Sequence, residues 1–287
     1  MSLDSPSTNQ RHLKSHQQSI SKNALQQGSS EYTPAEQTPS DQRPLKESKQ
    51  HAFFVTGTDT EVGKTFVSCA LLAACHDAGL STAAYKPVSA GCDVTQAGLR
   101  NEDALALQQA SNTPLSYDEV NPIAFAEPIA PHLACEKLMT KGQGAPIELD
   151  TINEGYVALI EKKSDMLLVE GAGGWRLPLG QNSQGQEQFL SDFAISQKLP
   201  VILVVGMRLG CINHALLTAQ SIEQDGLNVA GWVANMLEPE MPFLEENIHS
   251  LARLLNAPLI ARVPRAESPI AVKARINLSL LGVKKPD

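Results

Sequence analysis

The sequence predicts an α/β fold in which a mostly parallel sheet carries helices on both faces. Three observations carry that expectation. Short, continuously apolar runs recur along the chain, as in strands buried on both faces. Stretches with apolar residues at helical spacing separate them. The first apolar run also passes directly into a glycine-bounded turn that opens the first helix.

Taken in order, Ala52-Phe53-Phe54-Val55-Thr56 reads as a buried strand stopped by Gly57. Lys64 to Asp77 spaces its apolar residues helically and ends before Gly79. Thr82 to Tyr85 is a second strand, and Asp103 to Ala110 and Ile147 to Glu161 read as helices. Met166-Leu167-Leu168-Val169 is a fully buried strand that runs into Glu170-Gly171-Ala172-Gly173-Gly174. Pro200 to Val205 follows, then Gly206 and a helix near Asn213 to Gln224; Val229 to Ala234 and Leu259 to Val263 complete the strands. The polar, Gly/Gln-rich stretch from Gly180 to Gln188 reads as a flexible loop inside the domain. No internal repeat is visible.

Residues 1–50 are rich in Ser, Gln, Lys and Pro and poor in large apolar residues, which predicts a disordered extension ahead of one domain over 51–287. Several acids and no Arg-rich amphipathic pattern argue against a targeting peptide, and no apolar h-region suggests secretion. No run is long enough to span a bilayer. Hydrophobic residues make up 42% and the formal net charge is -8, so the whole-chain basic footprint of a nucleic-acid binder is absent. The five cysteines, Cys69, Cys75, Cys92, Cys135 and Cys211, form no CxxC pair, which points to reduced thiols in a cytoplasm.

The strongest local signal is Gly57-Thr58-Asp59-Thr60-Glu61-Val62-Gly63-Lys64-Thr65 between a strand and a helix. Backbone N–H groups of such a loop, with the helix N-terminus, cradle phosphate. Lys64 is expected to reach the β/γ-phosphates, and the Thr65 hydroxyl to ligate Mg²⁺. The fold expectation sharpens to a P-loop NTPase-like α/β domain. Here Gly57 and Gly63 have five residues between them, whereas the usual pattern has four. Glu170, directly after Leu167-Leu168-Val169 and before glycines that let phosphate approach, stands where an NTPase needs its metal acid.

From Phe54-Val55-Thr56-Gly57-Thr58-Asp59-Thr60 through Gly63-Lys64-Thr65, the chain resembles the dethiobiotin synthetase family, whose variant loop also opens with Gly-Thr-Asp-Thr. The resemblance recurs at Tyr85-Lys86-Pro87-Val88, Leu99-Arg100-Asn101-Glu102-Asp103-Ala104-Leu105, Val120-Asn121-Pro122 and Ala126-Glu127-Pro128. It continues at Val169-Glu170-Gly171-Ala172-Gly173-Gly174-Trp175, Gly210-Cys211-Ile212-Asn213-His214-Ala215 and Gly231-Trp232-Val233-Ala234-Asn235. It implies that 7,8-diaminopelargonate, CO₂ and ATP give dethiobiotin, ADP and phosphate through a carbamate and a carbamic-phosphoric anhydride.

The resemblance also assigns roles. Lys64 and Lys86 flank the carbamate and γ-phosphate, although a Lys-Pro pair after a strand also reads as a solvated turn. Thr60, Glu61, Val62, Gly63, Lys64, Thr65 and Phe66, with Gly171, Ala172 and Gly173, hold the nucleotide. Thr65, Asp103 and Glu170 hold Mg²⁺, with Asp103 equally readable as a helix cap. The family is a homodimer in which Gly210, Cys211, Ile212 and Asn213 of the other subunit bind the substrate carboxylate. Asn213 as a plain helix cap is an equal reading.

Some positions depart from the family. Its Ser, the second residue after Lys-Pro-Val, is Ala90 here, so Ser89 beside it is the candidate diamine contact. The Asn-Asp pair near the adenine is Asn235-Met236, and Pro-Trp-Leu becomes Pro264-Arg265-Ala266. An expected Glu aligns with Ile270, with Glu267 nearby. Base selectivity therefore stays open. Two alternatives are a related P-loop amidoligase and a partner-positioning switch ATPase. The first wants a glutaminase domain, for which the roughly 50 residues after Asn235 are too few. The second wants a lysine where Asp59 stands.

Overall fold

The computed structural model describes residues 50–284 except 239 and 267. The disordered extension expected over residues 1–50 therefore lies, but for Gln50, outside the described residues.

Six strands form one sheet: β1 (His51–Gly57), β2 (Thr82–Tyr85), β3 (Met166–Glu170), β4 (Val201–Met207), β5 (Val229–Met236) and β6 (Leu259–Val263). Their order is β6-β5-β4-β1-β3-β2, and every pairing is parallel. The helices are α1 (Lys64–Asp77), α2 (Glu102–Ala110), α3 (Pro131–Thr140), α4 (Leu149–Glu161), α5 (Leu190–Ser196), α6 (Cys211–Gln224) and α7 (Leu244–Leu254). A single helical turn spans Tyr117–Val120.

The apolar runs are continuous because each strand feeds two cores at once. Along β1, Phe54 enters one core while Phe53 and Val55 enter the other. Leu167 and Val169 of β3 join the first, Met166 and Leu168 the second. The first core is closed by Ile152 and Leu159 of α4, Phe193 of α5, Ile222 of α6 and Leu251 of α7. The second is closed by Val67 and Leu71 of α1 and Leu107 of α2. Each fully buried side chain of this size stabilises by roughly 1.5–3 kcal/mol. Helices on both faces of a parallel sheet follow directly.

The strand expectations hold to within two residues at their ends. One expectation fails: Gly180 to Gln188 is not a flexible loop. Pro178–Gln181 pairs antiparallel with Glu187–Phe189. Asn182 nucleates the turn, its Oδ1 accepting from the backbone N–H of Gln184 and Gln186 at 3.0 and 2.9 Å. Gly185 supplies a φ of 75°. Among the described residues no helix is long and apolar enough to cross a membrane.

Candidate active site

β1 ends at Gly57 and α1 begins at Lys64, so the six residues 58–63 turn the chain at the C-terminal edge of the sheet. Gly63 is the N-cap of α1 at φ 84°, a conformation that disfavours any Cβ. A Cβ there would also strike the Asn235 side-chain amide. No side chain caps α1, which leaves the first-turn N–H groups of the helix available to an anion. Asn235, at the end of β5, braces the loop by donating from Nδ2 to the Val62 carbonyl at 2.8 Å.

Lys64 is 8% exposed, and its ammonium donates back to the Asp59 carbonyl at 3.0 Å. Burial pushes it down to about 8, against the attraction of Glu170 and helped by the like charge of Lys86.

The register of β2 on β3 sets the next part. Tyr85 pairs with Val169 as the last rung, so Lys86 and Glu170 each lie one residue beyond it on neighbouring strands. Lys86 is 3% exposed, and its Nζ lies 2.8 Å from Glu170 Oε1 and 3.1 Å from Asp103 Oδ2. The solvated-turn reading of Lys86 is thereby excluded. Burial alone would lower the Lys86 pKa, but the two carboxylates outweigh it and hold it above the usual lysine value. Burial would likewise raise Asp103, yet the Lys86 charge keeps its carboxyl below the usual range.

Glu170 is fully buried. Its Oε1 also accepts from the Thr65 hydroxyl at 2.8 Å, while Oε2 has no partner among the described residues. A buried carboxylate oxygen without a donor is costly, and a hard cation would satisfy it. Thr65, Glu170 and Asp103 together offer a hydroxyl and two carboxylates, a donor set suited to Mg²⁺.

Lys64, Thr65, Lys86 and Asp103 line one cleft of about 790 Å³ with Thr60, Glu61, Gly63, Phe66, Ser89, Ala172 and Gly173, and the buried Glu170 is joined to it through Thr65 and Lys86. Pro128 to Pro131 and Leu177 also line the cleft, residues that carry no local sequence signal for a site. Met236, Pro264 and Arg265 meet in a second hollow of about 360 Å³ with Met207, Glu238, Met241 and Leu244. It opens beside Asn235, on the β5 side of the phosphate loop.

Two cap readings and the free Gly171 amide are corrected, and the other expected residues are placed. Asp103 is not the cap of α2: Asn101 is, accepting from the Ala104 N–H at 3.1 Å. Asn213 is not a cap either, because Gly210 holds that position at φ 92° and Asn213 lies inside the helix. The Gly171 N–H is not free for nucleotide, since it donates to the Val55 carbonyl at 2.9 Å. Val62 is core, 1% exposed, and its carbonyl is taken by Asn235. The Ser89 hydroxyl is engaged internally, donating to Asn121 Oδ1 at 2.7 Å. Ala266 packs against the second core, and Ile270 is 63% exposed. Gly210, Cys211, Ile212 and Asn213 do not line the cleft of their own chain.

A family model described as an AAA domain matches residues 51–271. The chain is similar to the ATP-dependent dethiobiotin synthetase BioD of Pseudomonas aeruginosa (strain UCBPP-PA14), with 53% identity over 81% of this chain and 98% of the relative. The protein of that name from Cellvibrio japonicus (strain Ueda107) is 49% identical over 80% of this chain and 96% of its own length.

Proposed function

This chain belongs to the ATP-dependent dethiobiotin synthetase family, and we propose how its cleft performs that ligase reaction. The observation that carries the reading is the Lys86 ammonium, buried between Glu170 and Asp103 beside the phosphate loop.

The loop and the first turn of α1 bind the β- and γ-phosphates, and Lys64 leaves the Asp59 carbonyl for them. An amine of 7,8-diaminopelargonate adds to CO₂ and loses a proton, giving a carbamate whose oxygen faces Lys86. That oxygen attacks the γ-phosphorus, the bond to ADP breaks, and a carbamic-phosphoric anhydride forms. The second amine then attacks the anhydride carbon and gives up a proton as phosphate leaves, and the ureido ring closes. Lys64 and Lys86 hold negative charge in line, which lowers the barrier by positioning and charge stabilisation. Mg²⁺ held by Thr65, Glu170 and Asp103 would offset triphosphate charge. The orphan Glu170 Oε2 supports that donor set.

The base is assigned to the hollow lined by Met236, Pro264 and Arg265. Gly210, Cys211, Ile212 and Asn213 are assigned to the substrate carboxylate in the cleft of a second copy. Their exclusion from their own cleft supports a homodimer, as does Leu209, 96% exposed at the helix start. Five free, buried cysteines support a reducing cytoplasm.

The test is omission. Incubating the full chain with ATP, Mg²⁺, bicarbonate and the diamine should yield dethiobiotin by mass, with ATP cleavage dependent on both other substrates. ATP hydrolysis indifferent to diamine and bicarbonate would instead point to a switch ATPase.

A further inference from the structure

Lys86 lies one residue beyond the last pairing of β2 with β3, where the sheet no longer fixes its backbone. The segment Val120-Asn121 does so instead. The Lys86 N–H donates to the Val120 carbonyl at 2.8 Å, and the Lys86 carbonyl accepts from Asn121 Nδ2 at 2.6 Å. Both polar groups of the Lys86 backbone are thus held by two consecutive residues.

Asn121 is 3% exposed, and its side-chain amide makes all four of the hydrogen bonds open to it. Its second amide hydrogen reaches the Ile123 carbonyl at 3.4 Å. Its Oδ1 accepts from the Ser89 hydroxyl at 2.7 Å and from the Tyr117 hydroxyl at 2.9 Å. The Tyr117 oxygen in turn accepts from the Asn101 N–H at 2.7 Å. Asn101 caps α2, whose second residue is Asp103, and Asp103 returns to the Lys86 ammonium at 3.1 Å.

The connections close on themselves. Backbone of Lys86, Asn121, Tyr117, Asn101, α2, Asp103 and the tip of Lys86 form one ring. Few groups in it can relax alone, because each buried donor or acceptor would lose its partner.

We infer that Asn121 and Tyr117 are positioning residues that fix the Lys86 ammonium and the Asp103 carboxylate relative to each other, and so set the rate of phosphoryl transfer. The inference rests on the roles given to Lys86 and Asp103 above. Neither Asn121 nor Tyr117 lines the cleft, so neither touches substrate. Misplacement of a reacting group by about 1 Å can cost on the order of 100-fold in rate.

Tyr117→Phe is the sharpest probe. It keeps the ring over which the Arg100 guanidinium sits at 4.1 Å and removes one oxygen. In the full chain, kcat should fall on the order of 10-fold or more. The Mg²⁺ concentration for half-activation should rise, and KM for the diamine should hold. In an Asp103→Asn background the same change should add less than about twofold, because the group it positions is already gone. Asn121→Asp keeps the acceptor for both hydroxyls and removes the donor to Lys86. It should lower kcat with half-activation by Mg²⁺ near the wild-type value, and it serves if Tyr117→Phe does not fold.

Wild-type kcat and Mg²⁺ response in both variants, or equal fold-losses with and without Asp103, would overturn the inference. Normal turnover in Lys86→Ala would remove its premise instead. A dead Lys86→Ala beside a fully active Tyr117→Phe would overturn the positioning network alone.

Discussion

Replacing Lys86 with methionine removes the ammonium that sits between Glu170 and Asp103 while keeping most of the side-chain volume. Glu170 then stays fully buried with the Thr65 hydroxyl on one oxygen and no partner on the other. Removing one member of a buried ion pair typically costs about 3–5 kcal/mol. The contribution of Asp103 to that figure is small, because its side chain is 48% exposed and water screens it. For a domain of this size the loss corresponds to a melting temperature lower by on the order of 10 °C. A second substitution, Glu170→Gln, removes the stranded charge, so Lys86→Met/Glu170→Gln should recover most of the stability. Neither variant should make dethiobiotin. Denaturant unfolding followed by circular dichroism reads the first quantity, and product mass the second. A Lys86→Met variant as stable as wild type, or a double variant no better than the single, would refute the assigned geometry. Detectable turnover in either would refute the assigned chemistry.

Gly63→Ala forces a Cβ into the left-handed region and against Asn235. It should cost about 1–2 kcal/mol or more and abolish binding of a fluorescent ATP analogue. Lys64, depressed to about 8 by burial, is partly neutral above that pH in the free protein, and triphosphate charge restores its proton. ATP binding between roughly pH 8 and 10 should therefore take up protons, seen as buffer-dependent heats in titration calorimetry, and Lys64→Ala should lose that uptake. Asp103 works with the opposite sign. Its lowered pKa gives stability that is present above the ordinary carboxylate range and lost as pH falls from that range through the lowered value, so Asp103→Asn should flatten the acid limb of the unfolding curve. Finally, Met236→Asp places an acceptor in a hollow lined by Met207 and Met241, and should raise the ATP:GTP ratio of kcat/KM by about 10-fold or more.

Much of this was legible from local sequence, because strands, helices and the phosphate loop are written in local spacing. The turn from Gly57 to Thr65 and the acid at the end of Met166-Leu167-Leu168-Val169 needed only their neighbours to be read. What escaped depended on distant partners. Lys86 alone reads as a surface turn, and only its pairing with Glu170, 84 positions away, buries it. Asp103 and Asn101 are both good caps by residue type, and only backbone geometry selects Asn101. Asn121 lies in a recognisable Val-Asn-Pro stretch, but its role needs Tyr117, Asn101 and Lys86 in space. The hairpin around Asn182 and Gly185 hides behind a polar composition, and only the turn chemistry of those two residues marks it.

Because Tyr85 meets Val169, one alignment decides both which side chains fill the hydrophobic layers and which two charges face each other. β2 is the outermost strand and has β3 as its one strand neighbour in the sheet, while Asn112 Oδ1 holds its first residue by accepting from the Thr82 N–H at 2.6 Å. Deleting one residue between α1 and β2, around Gly79 to Ser81, would tend to slide β2 by a step and send every side chain to the opposite side of the sheet. Such a chain would bring Pro87, not a cation, level with Glu170. The spacing of a surface turn far from the nucleotide is thus as unforgiving as the phosphate loop itself.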